Sequence, residues 1–282
     1  MMRPMITNET VNQAIDYILL HAEEGIRLED VAEYCHFSKY YFCRLFKAQT
    51  GESVYGFIKR VRIEQSAFRL KTESGRLITE ISADYGYSSS NYSSAFKLHY
   101  HMSPAVFRKR CCFLRKEHPV FRHENWNTES FQECRKKITM EDVKDYHVIY
   151  ERRFGSYGKL CRDWGRFLEQ YRDYVTQDTK FLERTYDDPE VTKAENCLYD
   201  ICMSVEKGCP LENTATIRGG RCAVYHFNGH VTEIYAAYQT IFMVWLPRTC
   251  YQVDPERNLF DIYHRADCAA MNMELDICVP VK

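Results

Sequence analysis

Residues 36–47 read HFSKYYFCRLFK, and residues 86–97 read GYSSSNYSSAFK. The phrases align at an offset of 50 residues: Phe37 with Tyr87, Ser38 with Ser88, Phe42 with Tyr92, Leu45 with Ala95, and Phe46-Lys47 with Phe96-Lys97. The match continues, pairing Ser53 with Ser103, Phe57 with Phe107 and Lys59 with Lys109. A repeat of this kind is usually one supersecondary unit used twice. It therefore restricts the first part of the chain to folds built from a duplicated module.

Each copy reads as helix, short turn, helix. Val11, Ile15, Ile18 and Leu19 recur at helical spacing within residues 8–24, and Gly25 stops that helix. A short helix follows near Leu28–Cys35, with Val31, Ala32 and Cys35 inward. His36-Phe37 then turns, and Ser38 is placed to cap the next helix, at about 39–49, through its hydroxyl. On that helix Phe42, Leu45, Phe46 and Gln49 share an inner face. Tyr40, Cys43, Arg44 and Lys47 share an outer one. In the second copy the short helix is Ile78–Asp84, with Ile78, Ile81 and Ala83 inward. Gly86-Tyr87 turns, and a helix starts near Ser89. There Tyr92, Ala95 and Phe96 face in, while Ser90, Ser93, Ser94 and Lys97 face out.

A capped helix with a cationic outer face after a tight turn is helix-turn-helix geometry, in which the second helix lies in a DNA major groove. Arg44 suits guanine, through two parallel hydrogen bonds to O6 and N7. Lys47 suits a phosphate, which adds affinity without reading sequence. Taken alone, that face reads equally as solvated surface; the second copy moves the balance towards DNA. Where the first copy has Arg44 the second has Ser94, so the second head is expected to hold phosphates through its hydroxyls and Lys97. Between the heads, Val54, Phe57, Ile58, Val61 and Phe68 keep the period of one long helix, about Ser53–Glu73. About 20 residues make a rod of about 30 Å, close to one DNA turn of about 34 Å.

The segment 8–110 resembles the DNA-binding domain of the AraC/XylS family of bacterial transcription regulators. LEDVAEYCHFSKYYFCRLFKAQTGESVYGFIKRVRIEQS and ITEISADYGYSSSNYSSAFKLHYHMSPAVFRK carry the likeness, above all the YGY…FK…MSP…FRK signature. The chain departs at His101, where the family usually has Gly. The resemblance implies that Ser38, Lys39, Tyr40, Cys43, Arg44 and Lys47 face DNA, and that Ser89, Ser90, Asn91, Ser94 and Lys97 do so in the second head. Double-stranded DNA and RNA polymerase are then the expected partners, and the protein is expected to act as a monomer or weak dimer.

Charge is shared unevenly. Residues 1–115 carry +4 and residues 116–282 carry −5, which suggests different partners for the two parts. No apolar run approaches the ~20 residues a membrane helix needs, and MMRPMITNET lacks the apolar core of a signal peptide. A cytoplasmic protein with its 13 cysteines reduced is the expectation. No CxxC pair occurs, and neither Cys111-Cys112 nor Cys197 with Cys202 has a zinc spacing. No metal or cofactor is expected.

The expected domains are an all-α DNA-binding domain over 1–112, a polar linker over 113–135 and an α+β antiparallel domain over 136–282. In the last, ITMEDV, YHVIYERRF, LYDICMSV, RCAVYHF, NLFDIYHR and LDICVPV read as strands. Residues 157–175 and 231–246 read as helices, the second ended by Pro247. Period two places Asp261 and Tyr263 on one face of their strand. An acid among aromatics (Trp245, Tyr263, Tyr157 and Tyr199) suits a small cationic or lipophilic organic effector. The alternative is that Trp245 is core and Asp261 caps a helix or lies on the surface.

GGRCAVYHFNGH, VWLPRTCYQV, FDIY and ELDICVPVK resemble the GyrI-like effector-binding domain. The resemblance implies a duplicated strand–helix–strand–strand unit framing a cleft, with an acid at Asp261 facing into it. The family usually has Glu there. Some relatives are hydrolases. Yet no G-x-S-x-G, P-loop or HExxH occurs, and His226, His230 and His264 assemble no triad from sequence. The expected function is a non-enzymatic transcription regulator. A hydrolase or ligand scavenger, or a ligand-free interaction module, are the alternatives for the second domain.

Overall fold

The computed structural model describes residues 5–73, 75–110, 128–189, 191–267 and 269–282. They divide into two compact units, one from the described part of Met1–Glu117 with Asp187–Cys197, the other from His118–Tyr186 with Leu198–Lys282. His118, Arg122, His123, Cys111 and Cys112 lie outside the described residues.

The first unit contains α1 (Glu9–Leu20), α2 (Leu28–Tyr34), α3 (Lys39–Thr50), α4 (Val54–Thr72), α5 (Ile78–Asp84), α6 (Ser89–Tyr100) and α7 (Pro104–Arg110). The 50-residue offset holds to the residue: α5 repeats α2, α6 repeats α3, and the start of α7 repeats that of α4. It holds in the core too. Phe42 tilts against Phe46 with ring centroids 5.7 Å apart, and Phe46 meets Phe57 edge-on at 5.3 Å. In the second copy Tyr92 tilts against Phe96 at 5.4 Å, and Phe96 meets Phe107 edge-on at 5.2 Å. All six rings are buried. One aromatic chain is thus built twice, and aromatic pairs in these geometries add to simple area burial.

The turns repeat as well. His36 and Gly86 both take a positive φ before the second helix, and Gly51 and His101 do so after it. His101 adopts φ 57° and ends α6 in the left-handed conformation that Gly51 adopts after α3. The departure from Gly at this position is therefore absorbed without changing the turn. Two details differ from the sequence expectation. Ser38 occupies the cap position, but its hydroxyl makes no cap bond, whereas Ser88 Oγ accepts from Asn91 N. Ala83 is exposed and Ser82 is buried in its place.

The second unit includes α8 (Phe131–Lys137), a helix that starts inside the stretch expected to be linker and runs past its end. Ser130 Oγ accepts from Glu133 N, and Glu133 Oε2 accepts from Ser130 N, closing a capping box. An eight-stranded antiparallel sheet follows: β1 (Ile138–Val143), β2 (Tyr146–Phe154), β3 (Phe181–Thr185), β4 (Leu198–Ser204), β5 (Thr214–Ile217), β6 (Gly220–His230), β7 (Leu259–Asp267) and β8 (Asn272–Pro280). Its order is β1-β6-β8-β7-β3-β4-β2-β5. The helix after β2 is α9 (Leu160–Gln170), and the one after β6 is α10 (Ile234–Thr240). The unit β2-α9-β3-β4 is thus followed by β6-α10-β7-β8, and the two copies meet at the β3–β7 pairing. The α+β class expected from sequence is the one observed.

Three sequence readings need correction. β3 and β5 were not expected; FLERT places charged side chains on both of its faces, which hides the period of two. Residues 157–175 form α9 flanked by single 3₁₀ turns, not one helix. Residues 231–246 likewise break into a 3₁₀ turn, α10, a π-helical turn over Ile241–Trp245 and a last 3₁₀ turn holding Pro247. Proline's missing N–H accounts for that ending. The sheet has two apolar faces. Tyr150, Leu182, Cys202, Phe260 and Ile262 pack on one. Ile149, Tyr199, Ile201 and Met203 pack on the other, against Phe167 of α9.

Candidate effector cleft and DNA-facing helices

Antiparallel neighbours share a face. Glu183 of β3 pairs with Ile201 of β4 on one side and with Asp261 of β7 on the other. Glu183 and Asp261 therefore stand side by side on the α9 face, at the seam between the two copies. Each is 2% exposed. Among the described residues, neither makes a salt bridge to a Lys, Arg or His.

Their partners are hydroxyls and rings. Tyr238 of α10 donates to Asp261 Oδ1 at 2.6 Å. Tyr263 donates to Glu183 Oε2 at 2.9 Å. Trp164 of α9 lies edge-on to Tyr263 at 5.6 Å and to Phe181 at 6.1 Å. Burial disfavours the charged form of a carboxyl. It pushes Asp261 up to about 7, against the opposing pull of the Tyr238 hydrogen bond. Burial, with the charge of Asp261 added, pushes Glu183 up to about 8. Tyr238 and Tyr263 are raised by burial and by the neighbouring acids, so both stay protonated donors.

The structure brings together Asp261 and Tyr263, as the strand period required. Tyr199 lies on the same face, stacked on Tyr157 with centroids 5.0 Å apart, and its hydroxyl donates to Asp163 Oδ2. Trp245 is placed differently from the expectation: it is buried and stacks on Tyr251. The indole beside the acid pair is Trp164. Sequence reasoning missed Glu183, Tyr238 and Trp164 as site residues. The signal lay in the duplication, since β3 follows α9 as β7 follows α10, so an acid at Asp261 invites a search for its counterpart. His226 and His264 both bond Asp276. Asp276 pairs with Ile262 and so faces away from the acid pair.

The opposite face holds a buried ion cluster. Arg152 gives Asp200 two hydrogen bonds, of 2.8 and 2.9 Å, and Arg184 Nη2 lies 2.6 Å from the same carboxylate. These guanidiniums hold Asp200 below its ordinary range in spite of its burial.

In the first unit, Tyr40, Arg44 and Lys47 are exposed along α3, and Cys43 is half-buried. Tyr40 is 76% exposed, with the Arg44 guanidinium 5.9 Å from its ring centroid. Lys39 pairs with Glu29 of α2. Ser89, Ser90, Asn91, Ser94 and Lys97 are all exposed along α6, and Ser90 Oγ lies 3.4 Å from Ser88 Oγ. The faces opposite are pinned: Phe42 and Phe46 are buried on α3, and Tyr92, whose hydroxyl bonds Ser66 Oγ of α4 at 3.0 Å, is buried on α6.

Among the described residues no helix is long and apolar enough to cross a membrane. None of their His, Cys, Asp and Glu groups is placed to hold a metal ion. Cys35, Cys134, Cys197, Cys202, Cys222 and Cys278 are buried free thiols.

Comparison with known proteins gives two family matches. A GyrI-like small molecule binding domain matches residues 136–282, and a helix-turn-helix domain matches residues 31–110. The regulatory protein PocR of Salmonella typhimurium is 32% identical over 108 residues, covering 38% of this chain and 35% of PocR. The HTH-type transcriptional regulator YbfP of Bacillus subtilis is 32% identical over 105 residues, covering 37% of this chain and 35% of YbfP. The chain thus spans about a third of the length of the curated relatives it matches. Among solved structures, the C-terminal domain of AraT, a response regulator from Geobacillus stearothermophilus, is 31% identical over 36% of this chain and 85% of that one, with a TM-score of 0.35. With more than half its length matched, the chain belongs to the GyrI-like small molecule binding family, joined to an AraC-type helix-turn-helix domain.

Proposed function

We propose that this protein is a sequence-specific DNA-binding transcription regulator whose second unit senses a small organic cation. The ligand half rests on the Glu183–Asp261 pair: two carboxyls, each 2% exposed, with tyrosine hydroxyls and aromatic rings around them and no basic partner among the described residues. A buried acid without a counter-charge is costly. A cation relieves that cost, and each ring face it meets adds about 0.5–2 kcal/mol.

The DNA half rests on α3, whose outer face carries exposed Tyr40, Arg44 and Lys47, with Cys43 half-buried beside them. Arg44 reads guanine and Tyr40 supports it, while Ser38, Lys39 and Lys47 hold phosphates. On α6, Ser89, Ser90, Asn91, Ser94 and Lys97 present short polar groups and one cation to a second groove. α4 is 19 residues long, about 28 Å at ~1.5 Å per residue, and suits two heads reading adjacent major grooves from one chain. RNA polymerase as partner, a monomeric or weakly dimeric state and a cytoplasmic location rest on the AraC/XylS resemblance. A regulator without catalysis is favoured over a hydrolase, since the histidines on Asp276 face away from the acid pair.

Selection of bound sequences from randomised duplex DNA tests the first half. A bipartite motif, its halves about one helical turn apart, is expected. No enrichment, with and without a cationic ligand, would sink the reading. Asp261→Asn should weaken organic-cation binding and leave DNA affinity unchanged; equal cation affinity would remove Asp261 from the site.

A further inference from the structure

We propose that Glu183 and Asp261 act as one proton-sharing carboxyl pair that trades a single proton for a single organic cation. This rests on the reading that the cleft takes a cationic effector, and adds what the cleft releases in exchange.

The geometry comes from register. Directly opposed residues on antiparallel strands have Cβ atoms about 4.5–5.5 Å apart, and Glu183 and Asp261 are such a pair. Two negative charges that close in a buried site repel strongly, so at least one carboxyl keeps its proton. Such groups titrate as a pair rather than singly. The burial-raised proton affinities of both acids agree with this.

The surrounding groups leave the pair uncompensated. On β7 there is Tyr263, on α10 Tyr238, and on α9 Trp164 and Asp163. β4 contributes Tyr199, and β8 presents Ile277 opposite Asp261. β2 contributes Glu151 and Arg153 on this face. The Arg153 guanidinium is engaged with Glu151 and lies 3.4 Å from Asp163. Across the sheet, Asp200 is taken by Arg152 and Arg184. Tyr238 and Tyr263 donate hydrogen bonds to the acids but bring no charge.

The exchange balances. Burial without a counter-charge keeps both ligand-free carboxyls protonated; one positive charge then enters, one proton leaves to solvent, and one proton stays shared between the carboxyls. No covalent bond forms or breaks. The buried site has the same net charge before and after, so binding demands no further charge burial. An uncharged ligand of the same shape displaces no proton.

Benzyltrimethylammonium is a suitable probe, with neopentylbenzene as its uncharged isostere. Titration calorimetry of the full chain at pH 6.5, in buffers of different ionisation enthalpy, should show about one proton released per cation, with affinity rising up to tenfold per pH unit below pH 7 and levelling above pH 8. Glu183→Gln should release fewer protons at pH 6.5 and move the pH dependence lower, because the remaining acid loses its like-charged neighbour. Tight cation binding with a buffer-independent enthalpy overturns the exchange and leaves the cation reading standing. Equal or better binding of the isostere, or no binding of either compound, overturns the cation reading and the exchange with it. Carboxyl ¹³C titration of the ligand-free wild type decides independently of any ligand. A pair still holding two protons at pH 6 supports the exchange, and a pair holding only one proton or none there overturns it.

Discussion

In the proposed reading, Arg44 and Lys97 divide the work of recognition between base and phosphate. Both are exposed on helices whose other faces are locked by rings, so each can be changed without touching the core. Arg44→Ala should cost about 1–3 kcal/mol on the selected site and flatten preference at one half of it. Unchanged specificity, measured by the same selection, would take base reading away from Arg44. Lys97→Ala should weaken binding on all sequences alike and lower the salt dependence by about one counterion. These outer faces were legible in sequence because helical spacing separates them from Phe42, Phe46, Tyr92 and Phe96. The acid pair was legible by half. Asp261 sits in a strand with clear alternation, whereas Glu183 is followed by Arg184, and both are buried on opposite faces of one five-residue strand. Adjacent buried charges carry no pattern that a periodicity reading detects.

At the scale of elements, the 50-residue repeat preserves backbone conformation more strictly than residue type. The left-handed turn positions hold His36 and Gly51 in one copy, Gly86 and His101 in the other. A side chain in that region costs roughly 1–2 kcal/mol where glycine pays little. Gly86→Ala should therefore lower the stability of the first unit by about 1 kcal/mol, and His101→Gly should raise it or leave it unchanged, read from denaturant midpoints at constant slope. A stabilising Gly86→Ala would show that the turn is not held in that conformation. The two long helical readings in the second part failed for a related reason. Residues 157–175 and 231–246 have the apolar period of helices, but packing over the sheet divides them into short pieces, and Pro247 forces the last break. Periodicity reports which face is buried, not how many turns remain unbroken.

Over the whole molecule, titration should separate the two buried clusters of the sheet. Glu183 and Asp261 have folded values raised to about 8 and about 7. Their unfolded counterparts ionise near pH 4, so the unfolded chain releases protons first. The stability they permit is complete below about pH 4 and is lost as pH climbs to about 8. Asp200 runs the other way. Its folded value is depressed by Arg152 and Arg184, so its contribution is present above its unfolded value near pH 4 and is lost in more acidic solution. The unfolding temperature of the second unit should therefore peak in mildly acidic solution and fall towards pH 8. Glu183→Gln should flatten the alkaline fall and leave the acidic one. Tryptophan fluorescence reads this unit, because the described tryptophans Trp164 and Trp245 both belong to it. A wild-type unfolding temperature that is flat from pH 5 to pH 8 would contradict the burial of two unpaired acids.

The sequence by itself determined whatever repeats or alternates along the chain. That covers the doubled helix-turn-helix, its aromatic core, its exposed outer faces, the break in character after residue 135 and the face on which Asp261 and Tyr263 lie. These are short-range properties, set by side-chain spacing against a period of 3.6 or 2. Only the tertiary structure decided that Glu183 stands beside Asp261, that Tyr238 and Trp164 flank the pair, and that Trp245 stacks on Tyr251. Strand register joins residues 78 positions apart. Burial of an acid is a property of everything packed around it, and no local spacing encodes either.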